Sequence, residues 1–298
     1  MASRRLSAPG RSEALGPGAR SAKGHPASRW LADATLALAA FAAIAPVAWT
    51  FVNSLKNRVD IATSVPRLVF TPTLDNYAYV LARESARAGL VNSLIVTGAS
   101  VALGALLGLP CAYALARHTG KWTHDLQFFV LSIRFMPPVA VAIPLMVIWL
   151  GLDLYDSRVS LIVTYLLLTL SSTIWLATPA FRRVPREIEE AAAIDGAGPF
   201  GTFFRIALPV AGRSLAGAVA FSFVLAWNEF LIALMLTTSD AKTLPIVASE
   251  LTQLGRDVPW GILNASVILL SLPPLLTIGV LNGFLNTTVA RGAHRGQH

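Results

Sequence analysis

The chain has 298 residues, of which 54% are hydrophobic and only 13% are charged, and its mean hydropathy is +0.60. Soluble domains carry about a quarter charged residues, so this composition excludes an ordinary water-soluble protein. The net charge of +8 could by itself suggest a nucleic-acid partner, but the positions of the basic residues indicate another cause. The single cysteine, Cys111, excludes an intrachain disulfide and gives no sign of redox chemistry.

Residues 1–29 are basic and rich in Ser, Gly and Pro, which predicts a disordered tail rather than a packed element. The tail is too long and too polar before the first apolar run for an ordinary signal peptide. We therefore divide the chain into this tail, a membrane domain over 30–290 and a short C-terminal tail over 291–298.

Six apolar segments follow the tail, each about long enough to cross a bilayer as a helix. Lipid offers the backbone no hydrogen-bond partners, and the segments are far longer than the strands of a membrane barrel. We predict an all-α polytopic membrane protein with six transmembrane helices. The predicted spans are about 31–54, 90–116, 126–150, 159–180, 207–237 and 261–286.

Prolines and glycines interrupt several spans. The third span contains Pro137, Pro138 and Pro144, and the sixth contains Pro273 and Pro274, which predicts kinks. In the second span, Gly104 and Gly108 have the GxxxG spacing that lets helices approach closely. Tight helix packing, with no further function, is the preferred interpretation of these glycines.

The basic residues predict the orientation of the chain in the membrane. With both termini in the cytoplasm, fifteen Lys and Arg residues lie inside, eight lie outside and Arg134 lies within a span. This bias also explains the high pI without any nucleic acid.

A polar, Ala- and Gly-rich loop, "EEAAAIDGAGPFGTFFRIALP", lies between the fourth and fifth spans. Pro185 is well placed to begin a short helix, Gly196 and Gly198 to end it, and Pro199 to begin a second. The small Ala side chains leave a shallow face that suits the groove of another protein. By composition, an amphipathic helix resting on lipid headgroups is an equally good interpretation.

The order of residues in this loop resembles the EAA loop of bacterial ABC importer permeases, with the pattern EAA-x3-G-x9-I-x-LP. The anchors are Glu190, Ala191, Ala192, Gly196, Ile206, Leu208 and Pro209. Residues 92–117 are similar to the start of that family's permease core. Residues 226–234 ("AWNEFLIAL") and 243–251 ("TLPIVASEL") resemble the carbohydrate branch, the maltose-type, MalG-like second permease subunits. The tail at 291–296 is also similar, but Arg295 stands where that branch has Lys.

The resemblance implies the type I permease fold of ABC importers, in which the cytoplasmic EAA loop is a coupling helix on a separate ATPase. Glu190 would make polar contacts with the ATPase, and Ala191, Ala192 and Gly196 would supply fit and the turn; Asp195, Ile206, Leu208 and Pro209 complete the coupling segment. The implied partners are a homologous second permease subunit, two ATPase subunits that bind Mg-ATP, and an extracytoplasmic sugar-binding protein. The implied location is the bacterial inner membrane.

Other chemistry has little support in the sequence. No GxxxxGK[ST] pattern occurs, so this chain is not expected to bind ATP in a P-loop. All five histidines lie outside the predicted spans, which argues against an intramembrane protease or a zinc site. We therefore expect a non-catalytic chain that binds no cofactor or metal.

Polar side chains near the middle of the fifth span are candidates for the translocation pathway, because a carboxylate in the bilayer costs a few kcal/mol unless it meets a cavity or a partner. Glu229 could instead bond within the bundle or pair with Arg134, and Arg134 could extend towards the cytoplasm. The candidates are Trp227, Asn228, Glu229, Phe230 and Arg134.

The expected function is the permease subunit of a carbohydrate ABC importer, with a disaccharide such as trehalose or maltose as cargo by family analogy. A permease for glycerol phosphate or a polyamine is the alternative within the superfamily. An ion-coupled secondary transporter is less favoured because it needs no EAA loop, and a membrane-embedded enzyme is less favoured because the predicted spans contain no histidine.

Overall fold

A computed structural model describes residues 26–63, 65–250 and 259–293, with side chains described over 30–63, 65–250 and 259–280. In this part of the chain every regular element is a helix. Most of the predicted N-terminal tail and the last five residues lie outside the described residues.

The helices, in chain order, follow the predicted spans with short helices between them. They are α1 (Pro26–Ser54), α2 (Arg58–Ile61), α3 (Asp75–Ala82), α4 (Glu84–Arg117), α5 (Lys121–Arg134), α6 (Pro138–Gly151), α7 (Arg158–Arg182), α8 (Arg186–Ile194), α9 (Pro199–Thr202), a π-helical segment (Phe203–Ala207), α10 (Leu208–Trp227), α11 (Leu231–Leu236), α12 (Leu244–Glu250) and α13 (Trp260–Ala293).

Five helical stretches among the described residues are long and apolar enough to cross a membrane. The pair α5–α6 passes the same test as one unit, although it bends by 87° at the break before Pro138. Prolines at 137 and 138 explain the bend, because a proline lacks a backbone N–H and disfavours helix in the residue before it. The predicted kink of the third span is therefore confirmed, and it is sharp enough to divide the span into two helices.

The contacts of α4 and α7 establish that α5–α6 crosses the bundle. The third turn of α4 meets the first turn of α7 where Arg158 Nε donates to Asn92 Oδ1 at 2.8 Å. Their other ends meet where Arg117 Nη2 donates to the Val184 carbonyl at 3.2 Å. Since α4 and α7 run in the same direction, the chain between them must pass from one end of the bundle to the other. The bent pair is therefore a broken span rather than a loop that returns to its own side.

The observed boundaries correct three predictions. The second span begins at Glu84, six residues before the predicted start at residue 90. The carboxylate of Glu84 suits the positive end of the helix dipole. The fifth span ends at Trp227 instead of continuing to 237, for a reason given with the site below. The first helix begins at Pro26, inside the stretch assigned to the disordered tail.

The described residues divide into two units between Ala48 and Trp49. In the first unit, the side chains of α1 from Trp30 to Ile44 are exposed, and most of them are apolar. The second unit contains the remaining helices, and its core lies along α4 and α7.

Two glycines bring α4 and α7 into close contact. A Cβ atom on Gly104 would lie 2.7 Å from Thr169 Oγ1, and one on Gly108 would lie 3.1 Å from Thr173 Cγ2. Thr169 Oγ1 also donates to the Ser100 carbonyl at 2.9 Å, so a polar bond crosses the same interface. The predicted role of Gly104 and Gly108 in helix packing is confirmed. A Cβ atom added to Gly98, in contrast, would meet no atom within 4 Å.

At the α7 N-terminal end of the bundle, one carboxylate organises the loop that follows α11. Asp156 Oδ2 accepts hydrogen bonds from the Thr238 hydroxyl and the backbone N–H groups of Ser239 and Asp240, and Oδ1 accepts from Ala241 N. Partial burial by itself raises the pKa of Asp156, but these four donors outweigh it, so the pKa lies below its usual value.

We predict that Gly104→Ala destabilises the chain by about 1–3 kcal/mol, because the added methyl group overlaps Thr169. Gly98→Ala is the matched control on the same helix, and it should be neutral or slightly stabilising because Ala favours helix over Gly. Thermal unfolding of the two variants in detergent checks this, and equal melting temperatures would contradict the packing role.

We predict that Asp156→Asn lowers stability by about 1–3 kcal/mol, because an amide presents its own donors to the N–H groups of the loop. Asp153→Asn is the control, since Asp153 has the same φ of 56° but is exposed. Because the folded-state pKa of Asp156 is lowered, its contribution is present above about pH 4 and is lost as the pH falls through the folded-state value. Unfolding curves at pH 7 and at pH 3 should show a larger difference between the two variants at pH 7 than at pH 3.

Candidate functional site

The loop between α7 and α10 forms a short helix that ends in a glycine turn. The helix α8 begins after Pro185 and carries Glu187 and Glu189 in its first turn. At its end, the N–H of Gly196 bonds to the Ala193 carbonyl and the N–H of Ala197 to the Ala192 carbonyl. This is a Schellman motif, and Gly196 has the φ of +88° that the motif requires. The predicted helix, glycine turn and second helix beginning at Pro199 are therefore confirmed.

The second short helix continues without interruption into the fifth span. Between α9 and α10 lies the π-helical segment, where the N–H of Leu208 bonds to the Phe203 carbonyl five residues back. Pro209 has no N–H to donate, and its ring would crowd the carbonyl of Arg205 in an ordinary helix. A widened turn just before Pro209 relieves that conflict, which accounts physically for the Leu-Pro pair at this position.

An aromatic cluster of Tyr113, Phe181 and Phe203 packs the π-helical segment against the core of the bundle. Phe203 lies 5.2 Å from Tyr113 of α4 and 6.0 Å from Phe181 of α7, measured between ring centroids. Phe181 is fully buried and Phe203 is 5% exposed. Three separate helices thus meet directly beneath the loop, so the base of the loop is part of the core of the bundle.

Glu189 fastens α8 to the last turn of α4. Its carboxylate accepts from Arg117 Nε at 2.8 Å and from Arg117 Nη2 at 2.5 Å, and Oε2 also accepts from the Tyr113 hydroxyl at 2.9 Å. The side chains of Arg117 and Glu189 are only 12% and 11% exposed. Arg186 Nη2 donates in turn to the Arg117 carbonyl at 3.2 Å. Sequence reasoning did not find this network, because 72 residues separate its two ionic partners.

The opposite side of α8 faces away from the protein. Glu190 is exposed, and it lines an open depression of about 390 Å³ together with Arg186 and Pro199; the same depression reaches the side chains of Glu189, Arg117 and Tyr113. Two large apolar side chains of the loop are also exposed: Ile194 by 86% and Phe200 by 81%. An exposed surface of this kind, on a loop otherwise fixed to the core, is typical of a protein–protein contact.

The predicted coupling residues are divided between the two sides of the loop. Ala192 and Gly196 serve the internal packing and the turn, and Ile206 and Leu208 are half-buried above the core. The exposed members of the set are Glu190, Ala191, Asp195, Gly196 and Pro209.

Trp227 is an internal structural residue. It is 1% exposed, and its indole N–H donates to the Leu270 carbonyl of α13 at 2.8 Å. That carbonyl lacks its usual helical partner, because the residue four positions later is Pro274. The tryptophan therefore satisfies a backbone group that a proline leaves free, as helices in lipid require.

The next three residues form the break that ends the fifth span. Asn228 is exposed, and its amide donates to the Val224 carbonyl at 2.8 Å. Glu229 Oε1 accepts from the N–H of Ile232 at 2.8 Å, which caps the start of α11. Capping of a new helix competes with continuation of the old one, and this explains why the span stops at Trp227. Phe230 packs against the core cluster beside α11.

Arg134 lies at the bend between α5 and α6. Its guanidinium lies over the rings of Trp175 (5.3 Å) and Phe221 (5.2 Å), and Nη1 donates to Ser172 Oγ at 3.3 Å. The ion pair with Glu229 that the sequence left open is not formed. Cation–π contacts stabilise the charge instead, at a site where the helix is already broken.

Metal binding has no support from the described residues, which contain no cluster of three or more His, Cys, Asp or Glu side chains. The geometry defines a multi-pass helical membrane protein that presents a fixed loop, with one exposed side, at one end of its bundle.

The chain belongs to the family of binding-protein-dependent transport system inner membrane components, whose model matches residues 104–291. It is 30% identical to the diacetylchitobiose uptake system permease protein NgcG of Streptomyces coelicolor over 89% of this chain and 88% of the relative. It is also 30% identical to the trehalose transport system permease protein SugB of Mycobacterium tuberculosis, over 85% and 93% of the two chains. The predicted family is therefore confirmed, and the chain is a permease subunit.

A solved structure has the same fold. A chain of a bacterial ABC transporter involved in the import of the acidic polysaccharide alginate aligns with a TM-score of 0.71, over 88% of this chain and 98% of that chain. The sequence identity is 18%, so the likeness bears on the fold alone. It supports the predicted ABC importer permease fold.

We predict that a cysteine at Asn228 reacts with small water-soluble thiol reagents in a Cys111→Ala background, because Asn228 is exposed at the break in the fifth span. Ala226→Cys is the control, since Ala226 is 1% exposed and should stay unlabelled. Labelling is measured by mass spectrometry with and without nucleotide. Absence of reaction at 228 in both states would contradict a place for this break on the translocation pathway.

Proposed function

We propose that this chain is the permease subunit through which an ATP-driven, binding-protein-dependent importer takes up a sugar. The observation that carries the proposal is the geometry of the α8 loop, which is anchored to the core on one side and exposes Glu190, Ile194 and Phe200 on the other. A loop of this shape can transmit a push from a docked protein into the helices beneath it, because it moves with them.

The docked protein is proposed to be an ATPase subunit. Two such subunits bind Mg-ATP, one on this chain and one on a homologous second permease subunit. Their closure moves the two coupling helices together and changes the bundle from inward-facing to outward-facing. This chain performs no catalysis and holds no cofactor of its own in this proposal. The α8 end of the bundle and both termini then lie in the cytoplasm, in agreement with the excess of Lys and Arg on that side.

The cargo is proposed to be a di- or oligosaccharide such as trehalose or maltose, delivered by an extracytoplasmic binding protein. The names of the relatives support this class, since they include diacetylchitobiose and trehalose systems. Asn228, Glu229 and the exposed face of Trp175 near Arg134 offer the hydrogen-bonding and stacking groups that sugars use. Uptake assays with trehalose, maltose, glycerol phosphate and a polyamine separate this cargo from the alternatives.

We predict that Glu190→Arg and Gly196→Ala weaken co-purification of the tagged chain with its ATPase. The first reverses an exposed charge on the docking side, and the second costs about 1–2 kcal/mol, because an L-residue is strained at a positive φ. Gly198→Ala is the matched control, since Gly198 has an ordinary φ of −72° and equal free space. If both test variants retain full assembly, ATP hydrolysis and uptake, the loop is a surface helix and the proposed function fails.

A further inference from the structure

Glu189 and Glu190 are neighbours in the sequence but have different surroundings. Glu190 is exposed on the outer side of α8, whereas Glu189 is held between Arg117 and Tyr113 of α4. Adjacent residues of a helix point about 100° apart, so two consecutive carboxylates can face a partner and the core. Their roles in the same loop should therefore differ.

The contact of Glu189 is built as a rigid joint. Arg117 presents two N–H groups to the carboxylate in a bidentate pair, which has a fixed mutual orientation. The Tyr113 hydroxyl binds the same carboxylate, and the Tyr113 ring packs in the aromatic cluster under the loop. Both ionic side chains are only 12% and 11% exposed, although they border the open depression beside Glu190.

Arg117 also fixes both sides of the turn that leads into α8. It donates to the Val184 carbonyl just before the helix, and its own carbonyl accepts from Arg186 in the first turn of the helix. A single residue at the end of α4 thus binds α8 at its entry and at its first turn. The other attachments of α8 are the turn at 183–185, the glycine turn at 195–198, and its packing against α9 and the π-helical segment through the buried Ala192.

We infer that the Arg117–Glu189 pair, with Tyr113, is the positioning joint that makes α8 move as one body with α4. The inference rests on the proposed function, because it assigns these residues to transmission of the ATPase movement. Glu189 needs no contact with the ATPase in this mechanism. It acts through Arg117, and α4 passes the movement to α7 across the Gly104 and Gly108 interface.

The position of α8 is measured by spin labels at Val159→Cys and Ala193→Cys in a Cys111→Ala background. Both sites are exposed and lie at opposite ends of the bundle. In the assembled transporter, double electron–electron resonance should give a narrow distribution of distances between the two labels when Glu189 is present. The Glu189→Ala variant should give a broad distribution. Glu187→Ala is the matched control, since Glu187 is an exposed acid of the same helix turn.

Transmission is measured on the same complexes as the ratio of ATP hydrolysis with sugar-loaded binding protein to basal hydrolysis, with trehalose and maltose as probe sugars. Glu189→Ala and Arg117→Ala should lower this ratio about tenfold, a size usual for coupling between sites, while the ATPase still co-purifies. The exchange Arg117→Glu with Glu189→Arg should restore both the ratio and the narrow distribution. Tyr113→Phe keeps the ring in its cluster and should cause a smaller change in the same direction.

The outcomes separate this inference from the proposed function. If Glu189→Ala and Glu187→Ala give equal distance distributions and equal ratios of stimulated to basal ATP hydrolysis, the positioning role of the Arg117–Glu189 pair is refuted. The proposed importer function is not affected by that result. If the unaltered chain does not co-purify with an ATPase, the proposed function fails. If neither sugar stimulates the unaltered complex, the proposed cargo is wrong, and the spin-label distances still decide whether Glu189 positions α8.

Discussion

The close contact between α4 and α7 is the constraint on which the rest of the second unit depends. It exists because Gly104 and Gly108 have no side chains at the positions where Thr169 and Thr173 approach. Burial of apolar surface gives little preference for one helix pair over another in lipid, so the fit of small residues and the bond from Thr169 to Ser100 select this pair. Both ends of the bundle are then built on the paired helices.

At one end, Asn92 in the third turn of α4 accepts a hydrogen bond from Arg158 in the first turn of α7, and Asn92 also donates to the carbonyls of Asp240 and Lys242. At the other end, Arg117 reaches Val184 and Glu189. With its 34 residues, α4 is about 50 Å long. It is a single uninterrupted helix that connects the loop after α11 with the loop before α10.

The polar side chains of the spans mainly complete the hydrogen bonding of the backbone. Trp227 satisfies the carbonyl that Pro274 leaves free, and the Thr277 hydroxyl donates to the Pro273 carbonyl at 2.8 Å. Glu229 caps α11 through its bond with the N–H of Ile232. Lipid cannot supply these partners, so each break in a helix requires a side chain from within the protein. Asn228 also donates to a backbone carbonyl, that of Val224, but its position at the break leaves it exposed.

Local patterns in the sequence determined the apolar segments, the bend at Pro137 and Pro138, the glycine turn at Gly196 and the start of a helix at Pro199. These features depend on hydropathy and backbone geometry within a few residues, and both can be read directly from the residue types. The order of the anchors in the α8 loop also determined the family. The GxxxG spacing also predicted that another helix packs closely against Gly104, but it did not predict that this helix is α7.

Only the tertiary structure decided which of two adjacent glutamates binds the end of α4, what Trp227 donates to and where the fifth span ends. Glu189 and Arg117 are 72 residues apart, and Trp227 and Leu270 are 43 residues apart. A local sequence pattern carries no information on hydrogen-bonded partners that are so far apart in the chain, because the same side chains could equally well bind water or other residues. One signal was available: Pro274 leaves the carbonyl of Leu270 free, but its donor could be named only once α10 and α13 were packed together.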